Sequence, residues 1–177
     1  IVDRLGEVAG TRVAADAALV FSWESWWATE NQSRPSQAFG YLAQVHAAHA
    51  ALHDLGITVD VVRPGADLSA YRLVVAPGLH LVRPEEAAVI TDWVAAGGTG
   101  LITFNSGVVD AQDRVYTGGY TGPFREALGV QVEEFAPVAP DATVSLSDGS
   151  TGLLWSERGR ATTAEVVLTP GTWNGFD

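Results

Sequence analysis

The sequence contains no cysteine, no methionine and no lysine. Without cysteine there is no disulfide, no thiolate metal site and no cysteine nucleophile, and the redox compartment is left open. The ten basic positions are all arginine and are scattered along the chain. They stand against 21 acidic residues, giving a formal net charge of −11. Such a chain is repelled by a phosphate backbone and by an anionic membrane surface, so neither is an expected partner. No apolar run approaches the ~18 residues a membrane-spanning helix needs. What is present is 177 residues of which 47% are hydrophobic, enough apolar material for one folded domain. The chain opens at Ile1 and stops at Asp177 soon after an apolar run, which raises the expectation of a piece of something longer. Residues 1–10 mix Asp3, Arg4 and Glu7 among apolar residues. That pattern is no signal peptide but the tail of a helix, and a cytoplasmic location is expected.

Ala17 to Trp23 is a short continuous apolar run, the pattern of a strand covered on both faces of a parallel sheet. Thr29 to Ser36 is polar, contains Pro35 and predicts a loop. A helix is predicted from about Ser36 to the stop signal at Gly56, with Tyr41, Val45, Ala48, Leu52 and Leu55 on one buried stripe. Thr58–Val62 and Arg72–Ala76 are predicted strands, each closed by Pro-Gly. Pro84 at a first helical position, Glu85 and Glu86 in the first turn, and Gly97-Gly98 after the last turn frame a second helix. Gly100–Phe104 predicts a fourth strand, residues 105–122 a long glycine-rich loop, Pro123–Leu128 a short helix and Val130–Phe135 another strand. Alternating strands and helices imply a mostly parallel sheet with helices on both faces, a three-layer flavodoxin-like α/β sandwich. After Pro140 the brief runs Thr143–Leu146, Gly152–Trp155 and Ala164–Leu168 predict antiparallel edge strands and hairpins, with Asp-Gly-Ser, Arg-Gly-Arg and Pro-Gly as dividers.

Three groups of residues are candidates for function. Trp23, Glu24, Trp26 and Trp27 lie just past the first strand's carboxyl end, where open α/β sheets place ligands. Indole rings and a carboxylate suit a sugar-facing or subunit-facing surface; the competing reading puts one or two rings in the core and Glu24 in solvent. His46, His49 and His53 project from one helical face alongside Phe39 and Leu42, a spacing compatible with Zn²⁺ or Ni²⁺. No carboxylate completes that set, so a surface or interface is favoured and no metal site is expected. Asn105 and Ser106 sit at a strand-to-turn junction that in hydrolases holds a nucleophile elbow. The first glycine of that motif is missing, Val108 fills its last position, and no histidine follows His80 to serve as base. Among the carboxylates, Glu85-Glu86 serve the helix dipole, and Glu133-Glu134 are adjacent in a strand and expected on opposite faces. Asp110 and Asp113 lie in a loop, a poor frame for a fixed separation. No acid–base pair emerges.

The stretches Phe21–Ala28, Leu55–Val62 and Asp67–Pro77, continued by Gly97–Asp110, Gly118–Pro123 and Gly129–Phe135, resemble in order and wording the middle, trimerisation domain of family 42 β-galactosidases. The resemblance implies a class I glutamine-amidotransferase-like sandwich in which Asn105 or Ser106 stands where an amidotransferase holds its cysteine. It implies no catalytic residue and no cofactor in this chain. Residues 1–16 are then a linker helix from a preceding TIM barrel carrying the catalytic glutamates, and residues 17–177 a trimerisation domain truncated at its C-terminal end. The implied partners are that barrel and identical subunits in a homotrimer, with galactoside substrate reached through the barrel. Trp23, Glu24, Trp26, Trp27, His46, His49 and His53 become candidates for the interface or substrate entrance. Two alternatives are a stand-alone sugar- or metabolite-binding module and a divergent hydrolase using Ser106.

Overall fold

The computed structural model describes residues 6–31, 34 and 36–168. Strand β1 (Ala17–Val20) is the centre of the fold, with all four residues at most 1% exposed. It pairs in parallel with β2 (Val59–Val62) on one side and β3 (Leu73–Ala76) on the other, and β4 (Thr99–Ile102) continues beyond β3. Alternation then sends Ala18, Val20, Val74 and Ala76 to one face, where they meet Ala87 and Ile90 of helix α3 (Pro84–Ala95) and Phe124. Leu19 and Val75 point to the other face and meet Tyr41, Val45 and Leu52 of helix α2 (Tyr41–Asp54). Each fully buried aliphatic or aromatic side chain in these two layers contributes about 1.5–3 kcal/mol, so both helices are held mainly by their apolar stripes. The result is the three-layer α/β sandwich with a parallel sheet.

Local punctuation explains the boundaries of α3. Pro84 takes the first helical position, the Arg83 backbone N–H donates to Glu86 Oε2 at 2.9 Å, and Gly97 follows with φ +106°. Helix α2 begins five residues later than its periodicity suggests. Phe39 is taken by the core, where it packs against Phe104 and Trp155, so it lies off the histidine face. The Tyr41 hydroxyl, buried at the start of α2, accepts the Ser22 N–H at 2.8 Å. Leu55 is not part of the buried stripe. It is the C-cap residue beyond Asp54 and is 74% exposed.

Residues 23–29, of which Trp23 is expected in the first strand's run and Thr29 in a loop, form helix α1 (Trp23–Thr29), because Ser22 Oγ accepts the Ser25 N–H and caps its first turn. Downstream, a 3-10 turn (Gly122–Phe124) leads into α4 (Arg125–Leu128), ended by Gly129 at φ +63°. The antiparallel strands form two ribbons beside the parallel sheet. Strand β5 (Val130–Pro137) pairs with β8 (Trp155–Ala161), and β6 (Val144–Ser145) pairs with β7 (Thr151–Gly152). Three expectations fail here. Arg158-Gly159-Arg160 is no divider but the middle of β8, where a Cβ on Gly159 would come within 2.6 Å of the Gln131 carbonyl oxygen. Residues 164–168 carry no strand; the chain is tied back at Ala164, whose N–H donates to the Gly129 carbonyl. Glu133 and Glu134 do not alternate as expected either, because the ladder is bulged between Val132 and Glu134. Both are exposed, and they pair with Arg160 and Arg158. Of the expected linker helix, Gly6–Val8 forms one 3-10 turn and residues 11–15 carry no regular structure, while residues 1–5 lie outside the described residues.

One hydroxyl joins α1 to the segment that follows β3. Ser25 is fully buried, and its Oγ both donates to the Leu81 carbonyl and accepts the Leu81 N–H, each at 3.0 Å. Ser25→Ala leaves two buried backbone groups unpaired. Urea unfolding is expected to show a loss of about 1–3 kcal/mol with an unchanged m-value.

Candidate functional site

The carboxyl ends of β1, β3 and β4 open into a cleft of about 300 Å³, the position at which α/β sheets bind ligands. Its floor is the turn after β4. Asn105 is 4% exposed and held at φ +59°, a left-handed conformation that costs a non-glycine residue energy and recurs at functional turns. Three contacts fix it. Asn105 N–H donates to Glu157 Oε1 at 3.0 Å, Asn105 Oδ1 lies 3.2 Å from His80 Nδ1, and the adjacent Ser106 Oγ accepts the Leu79 N–H at 3.0 Å. Gly107 follows at φ +66°, where a Cβ would sit 2.6 Å from the Thr121 carbonyl oxygen, so only glycine fits.

Since Asn105 Oδ1 can only accept, His80 Nδ1 carries the proton and Nε2 is left as an acceptor in the neutral ring. Burial pushes the imidazole below its ordinary range, outweighing the Asn105 hydrogen bond and the Asp113 charge, which favour protonation. The cleft walls are aromatic. Tyr120 stacks on Phe135 at 3.9 Å between ring centroids, Phe135 meets Trp155 at 5.2 Å, and Phe39 meets Trp155 at 5.8 Å. Trp155 Nε1 donates to the same Glu157 oxygen that holds Asn105. Ser106 is 2% exposed, and its Oγ is committed to the Leu79 N–H, with no base in hydrogen-bond contact among the described residues. The arrangement offers donors, an acceptor and flat apolar walls, but no activated nucleophile.

The second candidate surface is the outer face of α1. Trp23 and Trp27 are 56% and 64% exposed, and Trp26 is half-buried. Trp23 packs edge-on against Phe21 at 5.1 Å and lies 5.3 Å from Trp26 and 6.2 Å from Trp27. Trp26 Nε1 donates to Glu30 Oε1 at 2.7 Å. Glu24 is not a free carboxylate. Arg83 reaches it with both terminal nitrogens at 2.7 Å and also contacts Glu86. The hydrogen bond from Arg83 holds the Glu24 carboxyl below the usual range, so the bidentate pair stands at neutral pH and loosens as pH falls through that lowered value.

His46, His49 and His53 are exposed on α2, and His49 and His53 stack at 6.4 Å. Among the described residues, no group of three or more His, Asp or Glu is placed to hold a metal ion, and no helix is long and apolar enough to cross a membrane. Asp113 lines the cleft, whereas Asp110 is occupied by the N–H groups of Gln112 and Arg114 and by the Arg114 guanidinium. The structure therefore brings Asn105 together with His80, Glu157, Tyr120 and Trp155, none of which the sequence marks as a site residue. His80 had one available signal, its place two residues after the Pro-Gly that closes a central strand.

A family model described as the β-galactosidase trimerisation domain matches residues 15–175. A β-galactosidase of Arthrobacter sp. is 44% identical over 165 residues, covering 93% of this chain and 24% of that protein. The β-galactosidase BgaB of Geobacillus sp. (strain Y412MC61) is 39% identical over 175 residues, 96% of this chain and 26% of that protein. Among solved structures, the β-galactosidase from Bacillus circulans sp. alkalophilus superposes with a TM-score of 0.91 at 34% identity, covering 97% of this chain and 27% of that one. The enzyme from the haloarchaeon Halorubrum lacusprofundi gives 0.84 at 32% identity, covering 90% and 24%. The chain thus spans about a quarter of the length of the relatives it matches.

Glu157 tests whether the turn after β4 is a structural joint. Glu157→Ala removes the acceptor from both Asn105 N–H and Trp155 Nε1, and chemical unfolding is expected to show a loss of about 2–3 kcal/mol. Glu157→Gln keeps an acceptor oxygen and is expected to lose less than half of that.

Proposed function

Because this chain belongs to the β-galactosidase trimerisation-domain family, we propose that it is a non-catalytic domain that holds three copies of a β-galactosidase together. The observation that carries this reading is the match of the family model over residues 15–175. The parent enzyme hydrolyses terminal β-D-galactosides with two carboxylates that lie elsewhere, in a TIM barrel preceding this domain. The described residues support that division of labour, since the elbow after β4 holds a buried asparagine and a committed serine where a nucleophile would need a base.

Within this reading, the face of α1 is the subunit- or barrel-facing surface. Trp23 and Trp27 put large apolar rings in solvent, beside an arginine–glutamate pair that fixes the helix against the start of α3. Exposed tryptophans with a polar rim are the composition of interface anchors. The same face walls the active-site entrance of a neighbouring barrel. The exposed histidines of α2, His46, His49 and His53, form a secondary contact candidate on another face.

Light scattering tests the reading. The chain is expected to approach three times its 18.6 kDa mass as concentration rises, and Trp27→Glu to weaken self-association by at least ~10-fold. A chain that stays monomeric at every concentration contradicts it. No turnover of a nitrophenyl galactoside is expected, and activity that survives repurification would overturn the non-catalytic assignment.

A further inference from the structure

The solvent face of α2 carries three imidazoles that take no part in the apolar layers of the fold. His46, His49 and His53 are all exposed and fall within the single helix Tyr41–Asp54. Side chains three or four residues apart on a helix lie one above the other, so His49 neighbours both of the others, whereas His46 and His53 are about 10 Å apart along the axis. The rings of His49 and His53 are already near parallel, with 17° between their planes and 6.4 Å between centroids. Histidines at i and i+4 are the spacing with which helical zinc sites place two imidazoles on one ion.

The surroundings of this pair favour a cation. His53 Nδ1 lies 3.8 Å from Asp54 Oδ1. That carboxylate favours the tautomer with its proton on Nδ1, which leaves Nε2 the lone pair that a metal ion takes; carboxylates orient metal-bound histidines in the same way. His53 is in the last turn of α2, where the helix dipole attracts positive charge. The formal net charge of −11 adds a long-range attraction for cations. Without a carboxylate ligand on the stripe a closed four-ligand site is excluded, but a chelate of two imidazoles and water is not. The fourth histidine, His80, is engaged with Asn105 in the cleft.

We propose that His49 and His53 form a chelating site for a divalent transition-metal ion of the Ni²⁺, Cu²⁺ or Zn²⁺ kind. Both side chains are free to rotate in solvent, which brings the two Nε2 atoms to the ~2.0–2.1 Å that an imidazole–zinc bond requires. Water fills the remaining positions. His46 with His49 is a second, weaker arrangement, since His46 has no carboxylate like Asp54 against its ring among the described residues. Both arrangements need His49, so one chain holds one ion. Imidazole nitrogen selects these ions over Mg²⁺ and Ca²⁺, which take oxygen ligands. The site is a property of the single chain and does not rest on the trimer reading.

The test is a calorimetric titration of the 177-residue chain with Ni²⁺ and with Zn²⁺ in excess Mg²⁺, and the same titration with Zn²⁺ followed by NMR of the four histidine rings. Both ions are expected to saturate at one per chain with a Kd of about 0.1 mM or tighter, and Zn²⁺ to move the His49 and His53 signals. His49→Ala is expected to weaken binding at least ~10-fold, and His53→Ala to weaken it by less, because His46 and His49 remain. His46→Ala is expected to leave affinity within about 2-fold, since the His49–His53 pair is intact. These positions are exposed and alanine favours helix, so each variant is expected to keep the ion-free urea midpoint of the unaltered chain or exceed it. No saturation by either ion, unchanged affinity in His49→Ala, shifts confined to His80, or displacement of the bound ion by Mg²⁺ overturns the proposal.

Discussion

The hydrogen bond from the Asn105 backbone to Glu157, across 52 residues of sequence, joins the two halves of this domain. On one side of it is the parallel sheet, whose strand β4 ends at the turn. On the other is the β5–β8 ribbon, which carries Glu157 and Trp155. The turn is further sewn to the end of β3 by Leu79 N–H to Ser106 Oγ, Gly107 N–H to the Leu79 carbonyl and Val108 N–H to the His80 carbonyl. The strained φ of Asn105 persists because these bonds over-determine it. Remove them and both the cleft floor and the seat of Trp155 lose definition together.

This explains why a turn of elbow geometry need not be a catalyst. An elbow earns its reactivity from a nucleophile that is exposed and touched by a base. Here the position holds a buried amide, and the hydroxyl next to it is turned onto the Leu79 backbone N–H. The same strain and burial are retained because they position a ribbon and an aromatic wall. The outer face of α1 keeps Trp23 and Trp27 in solvent, and the Arg83–Glu24 pair locks the helix orientation.

Much of the central sheet was legible because its signals are local. The unbroken apolar run of β1 encodes burial on both faces, and Pro84, Glu86 and Gly97 bracket α3 through backbone chemistry that involves only near neighbours. The failures have a common cause in long-range contacts. Gly159 reads as a turn but is a strand residue that lets β8 approach Gln131, and residues 164–168 read as a strand but find no partner. Helix α1 was hidden by three tryptophans, poor helix formers on their own, and depends on the Ser22 cap and on Ser25 gripping Leu81. At the cleft, Asn105 was visible from its place after a strand, but His80 reaches it from the turn after β3, and Glu157 and Trp155 only once the ribbon folds over the sheet.

The turn after β4 is a fixed structural joint and not a mobile reactive loop. Native-state amide hydrogen exchange tests it most directly, since it reads the opening free energy of each N–H. The Asn105, Gly107 and Leu79 amides are predicted to exchange in the slowest class, together with those of β1 and β3. Exchange of these amides at the rate of residues 111–119 in the neighbouring loop would contradict it.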